Sequence, residues 1–286
     1  MKLQYLGTAA AEAIPAVFCE CPACALARKT GGRELRSRAG SIIDKRLKID
    51  FGPDSYMQSL LYGIDYSKIT SLLITHSHGD HLFMDDIHHR IGHNAYFPVS
   101  EPLMTVYGNG AVGEAMQPHL GDRLAFKQLK VFETVDIEGY AVTPLEAVHT
   151  INHEGDKFPV VFVDGKTFMR NEEAFFYMIE KDGKRLIYAH DTDEFTQADM
   201  EFLKNKRADF ISLDCTNGKR QADYIGHMGS LDNLRQRDNL IKNGTADATT
   251  RFAANHFSHN VYVRTEELEE LMPGFIIAYD GLEVEI

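Results

Sequence analysis

The chain has 286 residues, 44% of them hydrophobic, which is enough to bury a sizeable core in one or two domains. Its formal net charge of −12 argues against a long RNA or DNA as partner, because an acidic surface repels a phosphate backbone. There is no apolar run of about 18 residues and no basic segment leading into an apolar one at the N-terminus, so we expect no membrane partner and a cytoplasmic protein.

Short apolar and β-branched runs alternate with helix-like segments along the chain. Strands are predicted at 2–6, 41–49, 71–75, 103–107, 140–148, 174–180, 185–189, 209–213, 250–254 and 275–278. Thr196 and Asp199 have the spacing of a capping box at the start of one helix. Ser230 is the expected N-cap of another, which Gly244 ends. This order favours a layered α/β domain.

Three of the four cysteines crowd into residues 19–24, as Cys19, Cys21 and Cys24. They are too close in sequence for easy mutual disulfides, but they are well spaced to share one Zn²⁺, which needs a fourth ligand. With no predicted secretory signal, the cluster indicates metal ligands rather than disulfides. Ordinary thiols or a nucleic-acid zinc module are the alternatives, and the acidic charge argues against the second.

The densest group of candidate ligands directly follows the predicted strand at 71–75. His76 and His78 alternate along an extended segment, so they share a face and can hold one ion. Asp80 and His81 come after the chain turns and can hold a second. Imidazole and carboxylate ligands suit Zn, Mn, Fe or Ni. The alternative, four surface residues on a loop, needs them to cluster by accident.

This motif resembles the His-x-His-x-Asp-His signature of the metallo-β-lactamase superfamily. The resemblance implies a single α/β domain over residues 1–286, folded as an αββα sandwich. It also implies two ligand sets completed from later strands and joined by a bridging aspartate. The first set would be His76, His78 and His149; the second Asp80, His81 and His256; the bridge Asp191. Asp50 matches a family position that orients ligands, although it could be a plain turn residue.

A closer resemblance rests on Leu6-Gly7-Thr8, Ile14-Pro15 and the cysteine cluster, and extends to Asp214-Cys215-Thr216, His227 and Tyr279–Glu283. These features resemble the PhnP-type phosphodiesterases, which open a phosphoribosyl 1,2-cyclic phosphate. The resemblance implies one structural Zn at residues 19–24, with His259 as fourth ligand. Cys215 would be a buried small side chain.

The segment 150–173 is longer than in that group and leaves the substrate open. Its turn residues predict either a lid over the site or an edge hairpin. His190 is predicted to point away from the site. The remaining candidates could rim the pocket or be solvated: His88, His89, His93, His119 and His153.

The resemblance implies a metal-dependent phosphodiesterase acting on a small, cyclic or nucleotide-like phosphodiester. Two active-site divalent metals, Mn, Zn or Ni, would share a bridging hydroxide that attacks phosphorus. Asp80 and His227 would be the catalytic residues, with His227 protonating the leaving oxygen; the plain alternative is a loop histidine.

Other functions remain open on the sequence alone. A thioester, lactone or β-lactam hydrolase could use similar ligands, as could an iron-dependent dioxygenase. An RNA-processing nuclease or a non-enzymatic metal-binding protein fits less well. The sequence also leaves a homodimer open.

Overall fold

The computed structural model describes residues 1–91, 103–149, 173–220, 226–261 and 264–286, together with the backbone of 160–163 and 166–169. Strands within these residues are β1 (Lys2–Gly7), β2 (Gly40–Ile43), β3 (Leu47–Ile49), β4 (Ser71–Leu73), β5 (Met104–Gly108), β6 (Leu124–Gln128), β7 (Val135–Ile137), β8 (Tyr140–Ala147), β9 (Val160–Val163), β10 (Lys166–Met169), β11 (Ala174–Lys181), β12 (Lys184–Ala189), β13 (Phe210–Asp214), β14 (Arg251–Asn255), β15 (Phe275–Ile277) and β16 (Glu283–Glu285). The α-helices are α1 (Pro22–Thr30), α2 (Ser55–Tyr62), α3 (Met84–Ile87), α4 (Gly110–Met116), α5 (Gln197–Leu203), α6 (Ser230–Lys242) and α7 (Thr265–Leu271).

The strands form two mixed sheets. Their orders are β16-β1-β2-β3-β4-β5-β6 and β15-β14-β13-β12-β11-β8-β7. The first sheet is parallel from β3 to β6 and the second from β12 to β15. Parallel strands with neighbours on both sides bury both faces, and every residue of the central strand β13 is buried.

The hydrophobic clusters give the order of the layers. Between the sheets, Leu3 and Ile43 of one pack in a single cluster with Tyr177 and Leu186 of the other. The outer face of the second sheet packs against Leu203, Leu240 and Leu268 of helices α5, α6 and α7. The outer face of the first packs against Val112 and Met116 of α4. The predicted αββα sandwich is therefore confirmed.

Each segment predicted to be a strand contains one. One of these segments contains two strands, and the predicted N-cap of one helix is one residue away from the observed one. The segment 41–49 splits into β2 and β3, because Asp44 and Lys45 take φ of 50° and 55° and form a turn. Thr196 and Asp199 form the predicted capping box of α5. For α6 the prediction was one residue off: Ser230 is already helical, and the cap is Gly229, whose N–H donates to the Asp232 carboxylate at 2.8 Å.

Strands β9 and β10 pair as an antiparallel hairpin inside the segment 150–173. Residues 150–159, 164–165 and 170–172 lie outside the described residues, so a role of this segment as a lid stays a prediction. No helix in the described part of the chain combines the length and apolar character that crossing a membrane requires.

Several neighbouring strands run in the same direction, so their carboxyl ends lie at the same edge of their sheet. Strands β3 and β4 are parallel neighbours in the first sheet, as are β12, β13 and β14 in the second, and β8 runs in the same direction as β12. The carboxyl edge of such strands is where ligands bind in open α/β sheets. The candidate site residues follow these strand ends.

Candidate metal centre and cleft

The first ligand group consists of three histidines and an aspartate. One ligand atom from each of His76, His78, His149 and Asp191 lies within 4.8 Å of all the others. His78 Nδ1 is 2.8 Å from His76 Nε2 and 3.4 Å from His149 Nε2. His76 and His78 come from the loop after β4, and His149 follows β8. The group could hold one metal ion.

The second ligand group shares the same aspartate. Asp80, His81, Asp191 and His256 also place ligand atoms within 4.8 Å of one another. His81 Nε2 is 3.2 Å from Asp80 Oδ2 and 3.0 Å from Asp191 Oδ2, and His256 Nε2 is 3.6 Å from the latter. Asp191 Oδ1 lies 3.4 Å from His149 Nδ1. Asp191 thus stands between the two groups, in the position from which a carboxylate can bridge two ions.

Unsatisfied atoms at the centre agree with metal binding. His81 Nε2, His256 Nε2 and Asp191 Oδ1 are buried and make no hydrogen bond to any described residue. Buried polar atoms in folded proteins almost always have a partner. All three point at the two ligand groups, so divalent cations would satisfy them.

The outer ring nitrogens of the same histidines are held in place. His81 Nδ1 is 2.8 Å from Asp50 Oδ2, as expected for a ligand-orienting aspartate. His256 Nδ1 is 2.7 Å from Thr216 Oγ1. Such contacts fix the tautomer and the direction of a ligand. Each ring therefore presents Nε2 to the centre.

Neighbouring carboxylates set the protonation of the histidines in the cluster. Burial opposes the charged forms of His81 and His256, but Asp80 and Asp50 outweigh it and raise the pKa of His81. Asp191 and Asp214 do the same for His256. Burial lowers the pKa of His149 to about 4. Metal binding requires neutral imidazoles, so ions entering this cluster would displace protons.

Several residues of the centre have left-handed backbone conformations. Asp50, Asp191 and His256 have φ of 54°, 58° and 62°. Side chains other than glycine seldom adopt such angles, and the cost is tolerated mainly at functional sites. Here the turn at each strand end directs the side chain across the sheet edge into the cluster.

His227 lies beside the two ligand groups. Its partner is Asp214, which was not predicted to be a functional residue. His227 Nδ1 is 3.2 Å from Asp214 Oδ2 and 3.3 Å from Asp191 Oδ1. Burial opposes the charged imidazolium, but the Asp214 and Asp191 carboxylates raise the pKa of His227 to about 9. The neighbouring carboxylates therefore favour the protonated ring.

Asp214 is fully buried and holds this side of the centre together through its hydrogen bonds. Its carboxylate accepts from the backbone N–H groups of Asp191 and Met228, each at 3.0 Å. It also lies 3.3 Å from His256 Nδ1. The only sequence signal was an aspartate ending a predicted strand in the Asp214-Cys215-Thr216 match.

A cleft of about 410 Å³ opens onto the cluster. Its floor carries His78, Asp80, His149, Asp191 and His256, with His227 beside them. The rest of the lining comes from Ala10, Ala11, Glu12, Thr216, Asn217, Arg220, Ser258, Asn260 and Val261. A small molecule with polar groups fits such a space.

The cysteine cluster forms a separate ligand group. Cys19, Cys21, Cys24 and His259 place ligand atoms within 4.8 Å, and His259 Nδ1 lies 3.4 Å from Cys19 Sγ and 3.5 Å from Cys21 Sγ. Partial burial opposes the Cys21 thiolate, but hydrogen bonds from the Cys24 backbone and His259 lower the pKa of Cys21 to about 6. A thiolate is the metal-binding form.

The remaining candidate residues lie elsewhere. His190 Nε2 is 2.7 Å from Ser212 Oγ, outside the described ligand groups. His88 and His119 contact each other at 3.2 Å on the surface. Cys215 is buried, with Met272 Sδ 3.8 Å from its Sγ. His93 and His153 lie outside the described residues.

Comparison with known families matches residues 45–257 to the beta-lactamase superfamily domain. Among curated proteins, the chain is 25% identical over 292 residues to an octanoyltransferase of Porphyromonas gingivalis (strain ATCC BAA-308 / W83). That alignment covers 99% of this chain and 51% of the relative, so the chain spans about half the length of the curated relative it matches.

Solved structures have the same fold. A diphosphatase from the PhnP family has a TM-score of 0.73 at 21% identity, with 99% of this chain and 96% of that chain covered. Zn(2+)-bound PqqB from Methylobacterium extorquens has a TM-score of 0.70 at 18% identity, with both chains fully covered. The match to the beta-lactamase superfamily domain confirms the resemblance to the superfamily. The PhnP-family structure agrees with the second resemblance in its fold.

Proposed function

Since this chain belongs to the beta-lactamase superfamily, whose fold is that of metal-dependent hydrolases, we propose that it hydrolyses a small phosphodiester at a two-metal site. The observation that carries the proposal is the position of Asp191. Its carboxylate belongs to both ligand groups, and Oδ1 lies 3.3 Å from His227 Nδ1. The carboxylate proposed to bridge the ions and the histidine proposed to donate a proton are thus adjacent at one cleft.

The proposed ligands follow the two groups. His76, His78 and His149 would hold one ion, Asp80, His81 and His256 the other, and Asp191 would bridge them. Two divalent cations, Mn, Zn or Ni, would activate a shared water and offset the charge of the phosphate. The Cys₃His group would hold a separate Zn as a scaffold, because four protein ligands leave no position open for water.

His227 supplies what the leaving group needs in this scheme. An alkoxide departs readily only if it is protonated, and Asp214 keeps the proton on the imidazole. Because Nδ1 faces Asp214, we assign the transferred proton to Nε2. Arg220 is the only Arg or Lys among the described residues lining the cleft, and it offers an anionic substrate one cationic contact.

One of the similar solved structures is a diphosphatase from the PhnP family. A diphosphate, like a diester, has a phosphorus atom with a leaving oxygen that carries another group. A small substrate of this kind suits a cleft of about 410 Å³.

A second candidate is hydrolysis of an acyl thioester at the same site. The observation in its favour is the 25% identical relative named octanoyltransferase, of which this chain covers half. A metal-activated water can attack a carbonyl carbon as well as phosphorus.

A substrate panel on metal-loaded protein separates the two candidates. It consists of bis(p-nitrophenyl) phosphate, p-nitrophenyl phosphate and an octanoyl thioester, each assayed with Mn²⁺, Zn²⁺ and Ni²⁺. We expect the diester to be cleaved and the monoester, with its extra charge, to be a poor substrate. Turnover of the thioester orders of magnitude faster than the diester would favour the second candidate.

A further inference from the structure

Lys48, two residues before Asp50, is a buried lysine at a position of β3 where an apolar side chain is expected. Lys48 is the middle residue of β3 and has no exposed surface. Its partners across the sheet are Ile42 on β2 and Leu72 on β4, both buried. Paired residues on adjacent strands share a face, so an apolar side chain would suit this position. Burial of an amine is costly unless its N–H groups are satisfied.

The Lys48 amine is satisfied by main-chain carbonyls at the end of its own strand. Nζ donates to the carbonyl oxygen of Ile49 at 3.1 Å and to that of Asp50. A Cβ at Gly40 would lie 3.0 Å from Nζ, so the glycine leaves the space that the amine fills. Burial lowers the pKa of Lys48 to about 7, against the opposing effect of Asp50. Charged or neutral, the amine can donate both bonds.

Asp50 connects this amine with the centre. Its left-handed backbone turns the carbonyl towards Lys48, while its carboxylate accepts from the Thr75 N–H and lies 2.8 Å from His81 Nδ1. The next residue extends the connection: Phe51 N donates to the His81 carbonyl and Phe83 N donates to the Phe51 carbonyl, both at 2.7 Å. The segment after β3 is thus bonded to His81 and Phe83, on either side of Leu82.

We propose that Lys48 is a positioning residue that fixes, through the Asp50 main chain, the half of the metal centre formed by Asp80, His81 and His256. Without the amine, the Asp50 carbonyl loses its partner and the left-handed turn can relax. The carboxylate then holds the His81 ring less firmly. The inference rests on the proposed two-metal site and is independent of the substrate.

The test uses Lys48→Met, which keeps the length of the stem and removes the donor. In metal-free protein, the Phe51 and Phe83 amides should exchange hydrogen faster. The Arg46 amide, bonded to the Ile43 carbonyl in the turn before β3, should not change. In Zn²⁺ titrations, one active-site equivalent should bind about 10–100-fold more weakly, the range for loss of a ligand-orienting partner. The other equivalent should be unaffected.

A double-mutant cycle decides whether Lys48 acts through Asp50. Adding Lys48→Met to Asp50→Asn should cost little further affinity, because the carboxylate that the lysine positions is already lost. Additive losses of zinc affinity in the double variant would overturn the proposal. So would an equal loss of affinity at both active-site equivalents with unchanged exchange of the Phe51 and Phe83 amides. Lys48→Gln keeps an N–H donor and should give an intermediate loss of zinc affinity. This variant provides the test if Lys48→Met does not fold. If wild-type protein binds no second ion, the two-metal site fails, and the exchange rates alone decide the role of Lys48.

Discussion

At the scale of single residues, His227 carries the chemical prediction that separates catalysis from binding. His227→Ala should slow hydrolysis of an alkyl or ribosyl diester by about 10²–10⁴-fold, the usual value of general acid help. A nitrophenyl diester should lose little, because nitrophenolate leaves unprotonated. The measurement is kcat/KM for both substrates, with metal content checked in each protein. Similar losses on both would leave His227 at most a binding residue.

The pairing of His227 with Asp214 predicts a pH dependence. A general acid works only while protonated, so on the alkaline side kcat on an alkyl diester should fall as pH rises through the pKa of His227. That pKa is about 9 in the metal-free cluster, and bound cations would lower it. Asp214→Asn removes a carboxylate that raises the pKa, so the fall should move to lower pH. The nitrophenyl diester is the control and should lack this limb; an unmoved limb would contradict the pairing.

Residue roles could be read from the sequence where the ligands are contiguous. His76, His78, Asp80 and His81 stand in one motif, so their proximity follows from local geometry. Asp214 was missed as a functional residue because its contacts depend on the register of parallel strands β12, β13 and β14. Lys48 was missed because alternation cannot reveal a buried amine whose acceptors are main-chain carbonyls.

At the scale of elements, the close packing of the segment after β3 on the metal-binding loop predicts a strict need for glycine. A Cβ at Gly52 would lie 2.0 Å from the Asp80 carbonyl oxygen. Gly52→Ala should therefore displace the Asp80–His81 turn and weaken metal binding at the second position. The measurement is metal affinity, with thermal unfolding of the metal-free protein recorded alongside.

Gly79→Ala is the matched control for this experiment. It adds the same methyl group one residue before Asp80, at a position where nothing lies within 4 Å. It should leave metal affinity close to that of the wild type. Equal losses in both variants would show that the loop is merely intolerant of side chains.

Most strands were predictable because long buried strands leave a continuous apolar signal. The strands that were missed are short and partly polar: β6 (Leu-Ala-Phe-Lys-Gln), β7 (Val-Asp-Ile) and β16 (Glu-Val-Glu). Their strand conformation comes from pairing at or near a sheet edge rather than from their own composition. The β2–β3 turn was missed because Asp44 and Lys45 are not glycines, although they adopt left-handed angles.

At the scale of the whole molecule, the Cys₃His group joins distant parts of the chain. Cys19, Cys21 and Cys24 come from the N-terminal segment, and His259 lies three residues after His256. Cys19→Ser with Cys21→Ser should remove one zinc per chain and lower the unfolding temperature, since a structural ion contributes folding free energy. Elemental analysis and thermal unfolding measure both effects. Cys215→Ala, at the buried cysteine outside the group, should keep the zinc.

The central claim is that two ions share Asp191 and together cleave a diester. The direct test adds Mn²⁺ to protein that retains only the Cys₃His zinc and follows hydrolysis of bis(p-nitrophenyl) phosphate against the number of equivalents added. We predict that the rate rises until two equivalents are bound and that Asp191→Asn does not reach the wild-type rate at any ratio. Asp44→Asn, in the turn between β2 and β3, should behave as the wild type. A plateau at one equivalent, or wild-type rates from Asp191→Asn, would contradict the account.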